Sequence, residues 1–125
     1  MIYLTLDEAL HVARRTVGGD VVVRDAGLLQ AALARPATTV DSRDAYPSVV
    51  EKAAALVHSA VRNHALVDGN ERLGLMLLIV FLGANGRALA MTNEEAYEFT
   101  VAIADGRLDD VPSIVAHLEP AVRQA

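Results

Sequence analysis

Apolar side chains along this chain recur three and four residues apart, the spacing of helices that each bury one face. Glycines, prolines and acidic residues divide the pattern into six blocks. The first runs from about Leu6 to Arg15 and ends at Gly18-Gly19. Val21-Val22-Val23 is β-branched and is expected to be extended. Asp25 then caps a second helix through Leu28, Leu29, Ala32 and Leu33, which stops before Pro36. Ala37 to Tyr46 is polar and reads as a loop. Pro47 suits the first turn of a long third helix. On that helix Val49, Ala53, Leu56 and Ala60 form one seam, with His64 a turn further on. Glu71 to Ala84 is apolar nearly all round, which predicts the central buried helix, ended by Asn85-Gly86. Arg87 to Met91 is a short connector with extended character. A fifth helix spans Asn93 to about Ala104 and stops at Asp105-Gly106. The last begins near Asp110-Val111-Pro112, and Pro120 disturbs its end.

Three of these blocks open on the capping-box pattern, in which a small polar residue precedes a glutamate by three. The pairs are Thr5 with Glu8, Asp68 with Glu71, and Thr92 with Glu95. The expectation is an all-α protein, one domain over residues 1–125, bundled around the Glu71–Ala84 helix.

Composition narrows the class. Hydrophobic residues make up 53% of the chain, enough to bury a core without staples, and no cysteine is available for a disulfide or thiolate metal site. Absence of cysteine fits a reducing, cytoplasmic setting. The first residues lack a basic segment and meet Asp7-Glu8 at once, a poor signal peptide. The apolar run from Leu73 to Ala84 is too short to span a bilayer, so no membrane partner is expected. A net charge of −5 and only three tyrosines and two phenylalanines argue against direct nucleic-acid binding.

Candidate chemistry is concentrated in His64-Ala65-Leu66-Val67-Asp68-Gly69-Asn70-Glu71-Arg72. A histidine at a helix end can act as a general base. The Asp-Gly-Asn turn lets backbone approach a ligand closely, and the next helix opens with N–H groups that attract an anion. Arg72 adds a cation, and Asp68 is a carboxylate of the kind that shares Mg²⁺ with phosphate oxygens. Together these parts suit transfer of a phosphoryl or nucleotidyl group to a hydroxyl. Each also has a plain structural reading. Asp68 can serve as a helix cap, Glu71 as its capping-box partner, and Arg72 as a solvated first-turn residue. His11, His58 and His117 lack such company, and the Asp109-Asp110 pair favours only a helix start.

The segment resembles the Fic/Doc signature H-x-F-x-[D/E]-G-N-x-R at His64, Asp68, Gly69, Asn70 and Arg72, with Leu66 in the aromatic position. Arg24 to Pro36 resembles the second helix of Doc-type members, and Phe81 to Gly86 the end of their buried helix. The resemblance implies a Fic/Doc bundle and a Doc-like toxin that uses ATP and Mg²⁺. Such a toxin transfers the γ-phosphate to a threonine of elongation factor Tu, blocks translation, and is restrained by a Phd-like antitoxin. It further implies His64 as the base, Asp68 as the Mg²⁺ ligand, and Gly69, Asn70 and the helix N-terminus as the phosphate cradle. Arg72 would neutralise the transferring charge, Glu71 would stand in the nucleotide-phosphate region, and Ala37 to Tyr46 would be the flap that positions the target. AMP-transferring members carry a second arginine where this chain has Leu75, which favours the Doc type.

Doc-type members have lysine where Glu71 stands. At roughly 5 Å and an effective dielectric of about 20, one like charge costs on the order of 3 kcal/mol before screening. Glu71 is therefore expected to weaken or abolish nucleotide binding. Two alternatives follow: a catalytically silent protein that binds its antitoxin and regulates through it, and a Fic-type AMP transferase.

Overall fold

Helix α4 (Asn70–Ala84) is the axis of the molecule. The computed structural model describes residues 1–18 and 20–125. Leu73, Leu77, Leu78, Phe81 and Leu82 of α4 are all at most 1% exposed, so this helix is the buried centre that its apolar pattern predicts. Its outer stripe is less covered than the pattern suggests: Leu75 is half-buried and Ile79 is exposed. The closest packing is against α3 (Val49–Arg62), whose Ala53, Leu56, Val57, Ala60 and Val61 are buried. Gly74 makes that approach possible. A Cβ there would stand 2.5 Å from Val61 Cγ2.

Around this pair stand α1 (Leu6–Val17), α2 (Ala26–Ala34), α5 (Asn93–Ala104) and α6 (Val111–Leu118). Thr5–Glu8 and Thr92–Glu95 form the two expected capping boxes of α1 and α5. Asp25 caps α2, and Asp110 caps α6 by accepting from the Ser113 N–H at 2.7 Å. A third box, Ser48 with Glu51, opens α3. Its pattern is in the sequence, but Pro47 reads as the helix start instead. Pro47 in fact precedes the cap, and Ser48 supplies the hydroxyl. Gly18 caps α1, while Gly19, expected to end that helix with it, lies outside the described residues.

Between α2 and α3 the chain runs through a single 3₁₀ turn (Arg35–Ala37) and then a hairpin of β1 (Thr39–Val40) and β2 (Arg43–Asp44). The expected loop is thus a small ribbon. Asp41 and Ser42 both take positive φ, 53° and 64°, as a two-residue hairpin turn requires. Arg87–Leu89 (β3) pairs antiparallel with Val122–Gln124 (β4), so the connector after α4 is extended because the C-terminal segment folds back on it. A 3₁₀ turn at Glu119–Ala121 carries Pro120 and ends α6 as expected. Among the described residues no helix is long and apolar enough to cross a membrane.

Candidate active site

The segment from Asn63 to Gly69 links α3 to α4, and the Val22–Arg24 stretch and Asn70 hold it in place from either side. Helix α3 ends at Arg62, and Asn63 caps it in a helical conformation. His64 then turns left-handed, with φ of 52°. The expectation that His64 lies one turn further on the α3 seam is therefore wrong: the residue is exposed, on a turn beyond the helix. Two long-range contacts enforce the turn. The extended Val21–Val23 segment pairs with the linker, forming a Val23–Leu66 bridge and a Val67 N–H to Val22 carbonyl bond of 3.0 Å. Arg24 binds the same stretch through both its main chain and its side chain. Its N–H donates to the Ala65 carbonyl at 2.8 Å, and its Nε to the His64 carbonyl at 2.9 Å.

Leu66 is 1% exposed, so leucine anchors the linker in the core. Asn70 reinforces it from the other side. Its Oδ1 accepts from the Leu66 N–H and its Nδ2 donates to the Leu66 carbonyl, both at 3.0 Å. The Asn70 side chain is thus committed to shaping the loop. Any part it takes in an anion site would come through its backbone N–H.

Asp68 and Glu71 do not form the expected capping box. Gly69, left-handed at φ 89°, is the N-cap of α4, and no side chain caps that helix. Asp68 Oδ1 accepts from the Gly69 N–H at 2.9 Å. The cause lies in the clamp: pulling Asn70 onto Leu66 starts the helix one residue too late for Asp68 to cap it. Gly69 is demanded twice over, because a Cβ there would also meet Val17 Cγ1 and Cγ2 at 2.8 Å. The consequence is chemical. Among the described residues the other five α-helices have a side chain on their first N–H groups, whereas α4 leaves its own open.

Asp68, Gly69, Glu71 and Arg72 line one wall of a hollow of about 530 Å³. Leu75 and α5 residues, Tyr97 and Thr100 among them, line the rest. His64 is not among the lining residues; it stands at the far end of the same linker. A larger hollow of about 680 Å³ lies between α5 and the C-terminal segment, but none of the signature residues reaches it. Among the described residues no cluster of three or more carboxylates and histidines could hold a metal alone. Asp68 by itself fits Mg²⁺ only in the way that ion binds nucleotides, with one carboxylate and the remaining ligands from phosphate and water.

The described residues form six α-helices, and the His64–Arg72 signature runs from the linker after α3 into the uncapped start of α4. The Fic/Doc family model matches residues 3–82. The chain belongs to the Fic/Doc family. It is 42% identical to the protein named Toxin Doc of Mycolicibacterium smegmatis, over 97% of this chain and 96% of that protein's length. The likeness to a Doc-type toxin therefore extends through the whole bundle and is not confined to the signature.

Proposed function

We propose that this protein is a cytoplasmic Doc-type toxin that transfers the γ-phosphate of ATP to a threonine of elongation factor Tu and so blocks translation. The observation that carries the reading is the open N-terminus of α4, flanked by Asp68 and Arg72 on one hollow. In the reaction His64 takes the proton of the threonine hydroxyl. The hydroxyl oxygen bonds to the γ-phosphorus, the bond from that phosphorus to the β–γ bridging oxygen breaks, and ADP leaves with the electron pair. The N–H groups at the start of α4 and the Arg72 guanidinium stabilise charge on the transferring group. Asp68 would hold Mg²⁺, which neutralises phosphate charge when bound. The β1–β2 hairpin would present the target chain. Leu75, half-buried on the hollow wall, disfavours AMP transfer, because it offers no cation there.

Glu71 shapes the activity. It is exposed on the hollow beside Arg72, where a negative charge opposes a triphosphate. It does not occupy the helix N–H groups, so only its charge acts against ATP. Weak ATP binding follows, and Glu71→Lys should tighten it without loss of a cap. The same charge favours the second reading, a catalytically silent protein that keeps its antitoxin. The partner in either case is a Phd-like antitoxin. Val22 and Val67 support that assignment: both are well exposed, side by side, next to Asp68.

The test is incubation of the protein and its Glu71→Lys variant with elongation factor Tu and ATP labelled at the α or the γ phosphate. Transfer of γ label, lost in His64→Ala, supports the kinase. Transfer of α label replaces it with an AMP transferase. No transfer by either form, with ATP binding absent from calorimetry, leaves the silent antitoxin-binding reading.

A further inference from the structure

The turn just past α3 is held from forty residues away. Helix carbonyls in a last turn lack partners within the helix, and a cation there is also favoured by the helix dipole. The arginine of that last turn, Arg62, does not serve. It donates to the Ala104 carbonyl at 2.9 Å and lies 3.5 Å from Asp109 Oδ1. Arg24 acts one step further on, at the C-cap and the two residues after it. Its guanidinium takes the His64 carbonyl through Nε at 2.9 Å and Nη2 at 2.5 Å, and reaches the Asn63 carbonyl at 3.4 Å. Its main-chain N–H holds the next carbonyl, that of Ala65. Asn63 is in turn tied to α2, donating to the Leu28 carbonyl at 3.2 Å. Three successive carbonyls are thus gripped by the residue that leads into α2.

What this grip opposes is specific. Asn63 already has helical angles, φ −72° and ψ −18°, so the cheapest course for His64 is one more helical residue. Instead His64 is left-handed, a conformation disfavoured for any residue with a Cβ. A helical His64 would rotate its carbonyl away from Arg24 and carry its imidazole to another side of the molecule.

We propose that Arg24 is a positioning residue for His64, holding its backbone in the left-handed turn that sets the imidazole outward at the head of the Asp68–Arg72 loop. The functional half of this inference rests on His64 being the base. The structural half does not.

Nuclear magnetic resonance of the labelled protein, with the His64 signals assigned through His64→Gln, reads the turn directly. In Arg24→Ala the His64 Cα and Cβ shifts should move from left-handed to helical values. The rate of γ-label transfer to elongation factor Tu should fall roughly ten- to a hundredfold, the scale of a misplaced catalytic group. The KM for ATP should stay unchanged, since Arg24 lies outside the phosphate hollow. Arg24→Lys, able to bond one carbonyl, should recover part of both signals. Arg24→Ala with a lowered melting temperature but unaltered His64 shifts and rate would make Arg24 an ordinary cap and overturn the inference. A lost rate with unaltered shifts would overturn it too. If His64→Ala retains transfer, the base assignment fails instead, and the shifts alone still decide whether Arg24 holds the turn.

Discussion

Lys52 and Asp44 join the core of the bundle to its most exposed ribbon. Lys52, on α3, is 2% exposed, and its Nζ lies 3.2 Å from Asp44 Oδ2 at the end of β2. The same ammonium donates to the Pro36 carbonyl at 3.2 Å and stands 5.8 Å from the centre of the Tyr3 ring. A buried charge needs such partners, and Asp44 brings the charge that balances it.

The two halves of this pair should therefore respond unequally. Asp44→Asn leaves the buried ammonium without its counter-charge and is expected to cost about 1–3 kcal/mol. Lys52→Met removes the buried charge altogether and leaves Asp44, half in solvent, to water. It should cost less than Asp44→Asn, with only the Pro36 carbonyl left unpaired. In Lys52→Met the hairpin should loosen nonetheless, seen as faster amide exchange at Arg43 and Asp44. Equal destabilisation by both changes, in urea melts, would refute the account.

Asn70 makes a second testable clamp. With Asn70→Ala the N–H and carbonyl of buried Leu66 both lose their partners, at about 2 kcal/mol or more. Exchange protection of the Leu66 amide should drop by more than global stability does. A Leu66 amide that exchanges as slowly as before would show that the loop keeps its shape without the clamp.

Two glycines of α4 should behave in opposite ways. Gly74→Ala forces a methyl onto Val61 and is expected to destabilise by about 1–3 kcal/mol. At Gly83 a Cβ would meet nothing within 4 Å. Gly83→Ala should stabilise by about 0.5–1 kcal/mol through helix propensity and a less mobile unfolded chain. Thermal melts of the two variants decide both signs.

Acid should weaken the fold partly through the capping boxes. The backbone N–H of Thr5 holds the Glu8 carboxyl below its ordinary value of 4.5, with the Thr5 side chain adding to the effect. The N–H and side chain of Thr92 do the same for Glu95. A carboxylate with a lowered folded value binds fewer protons in the folded than in the unfolded state. Its contribution is therefore complete above pH 4.5 and is lost as the pH falls through the lowered value. Glutamine at both positions keeps the caps without the titration, so Glu8→Gln/Glu95→Gln should flatten the fall in stability below pH 4.5. An unchanged slope in acid denaturation would place the acid sensitivity elsewhere.

The chain's own pattern determined whatever depends on near neighbours. The nearly unbroken apolar run marks α4 as the buried axis, and Thr5, Asp25, Thr92 and Asp110 announce the helices they cap. Ser48 announces α3 in the same way, though the proline beside it diverts the reading to Pro47. The signature from His64 to Arg72 is likewise legible, since its residue types and spacing lie in one short stretch. Its shape is not. Asp68-x-x-Glu71 has the same local form as the true capping boxes, but Asn70 is drawn to Leu66, Gly69 becomes the cap, and the α4 N–H groups stay open. His64 falls at helical spacing on α3, yet Arg24 and the Val22–Val23 segment, some forty residues earlier, turn it out of the helix. The β1–β2 hairpin is secured by a lysine on α3, and β3 becomes a strand only when β4 returns beside it. For His64 and β3 the deciding partner is distant in sequence. Its hydrogen bonds exist only once the bundle has closed, so tertiary packing, and not local preference, set the geometry of the site.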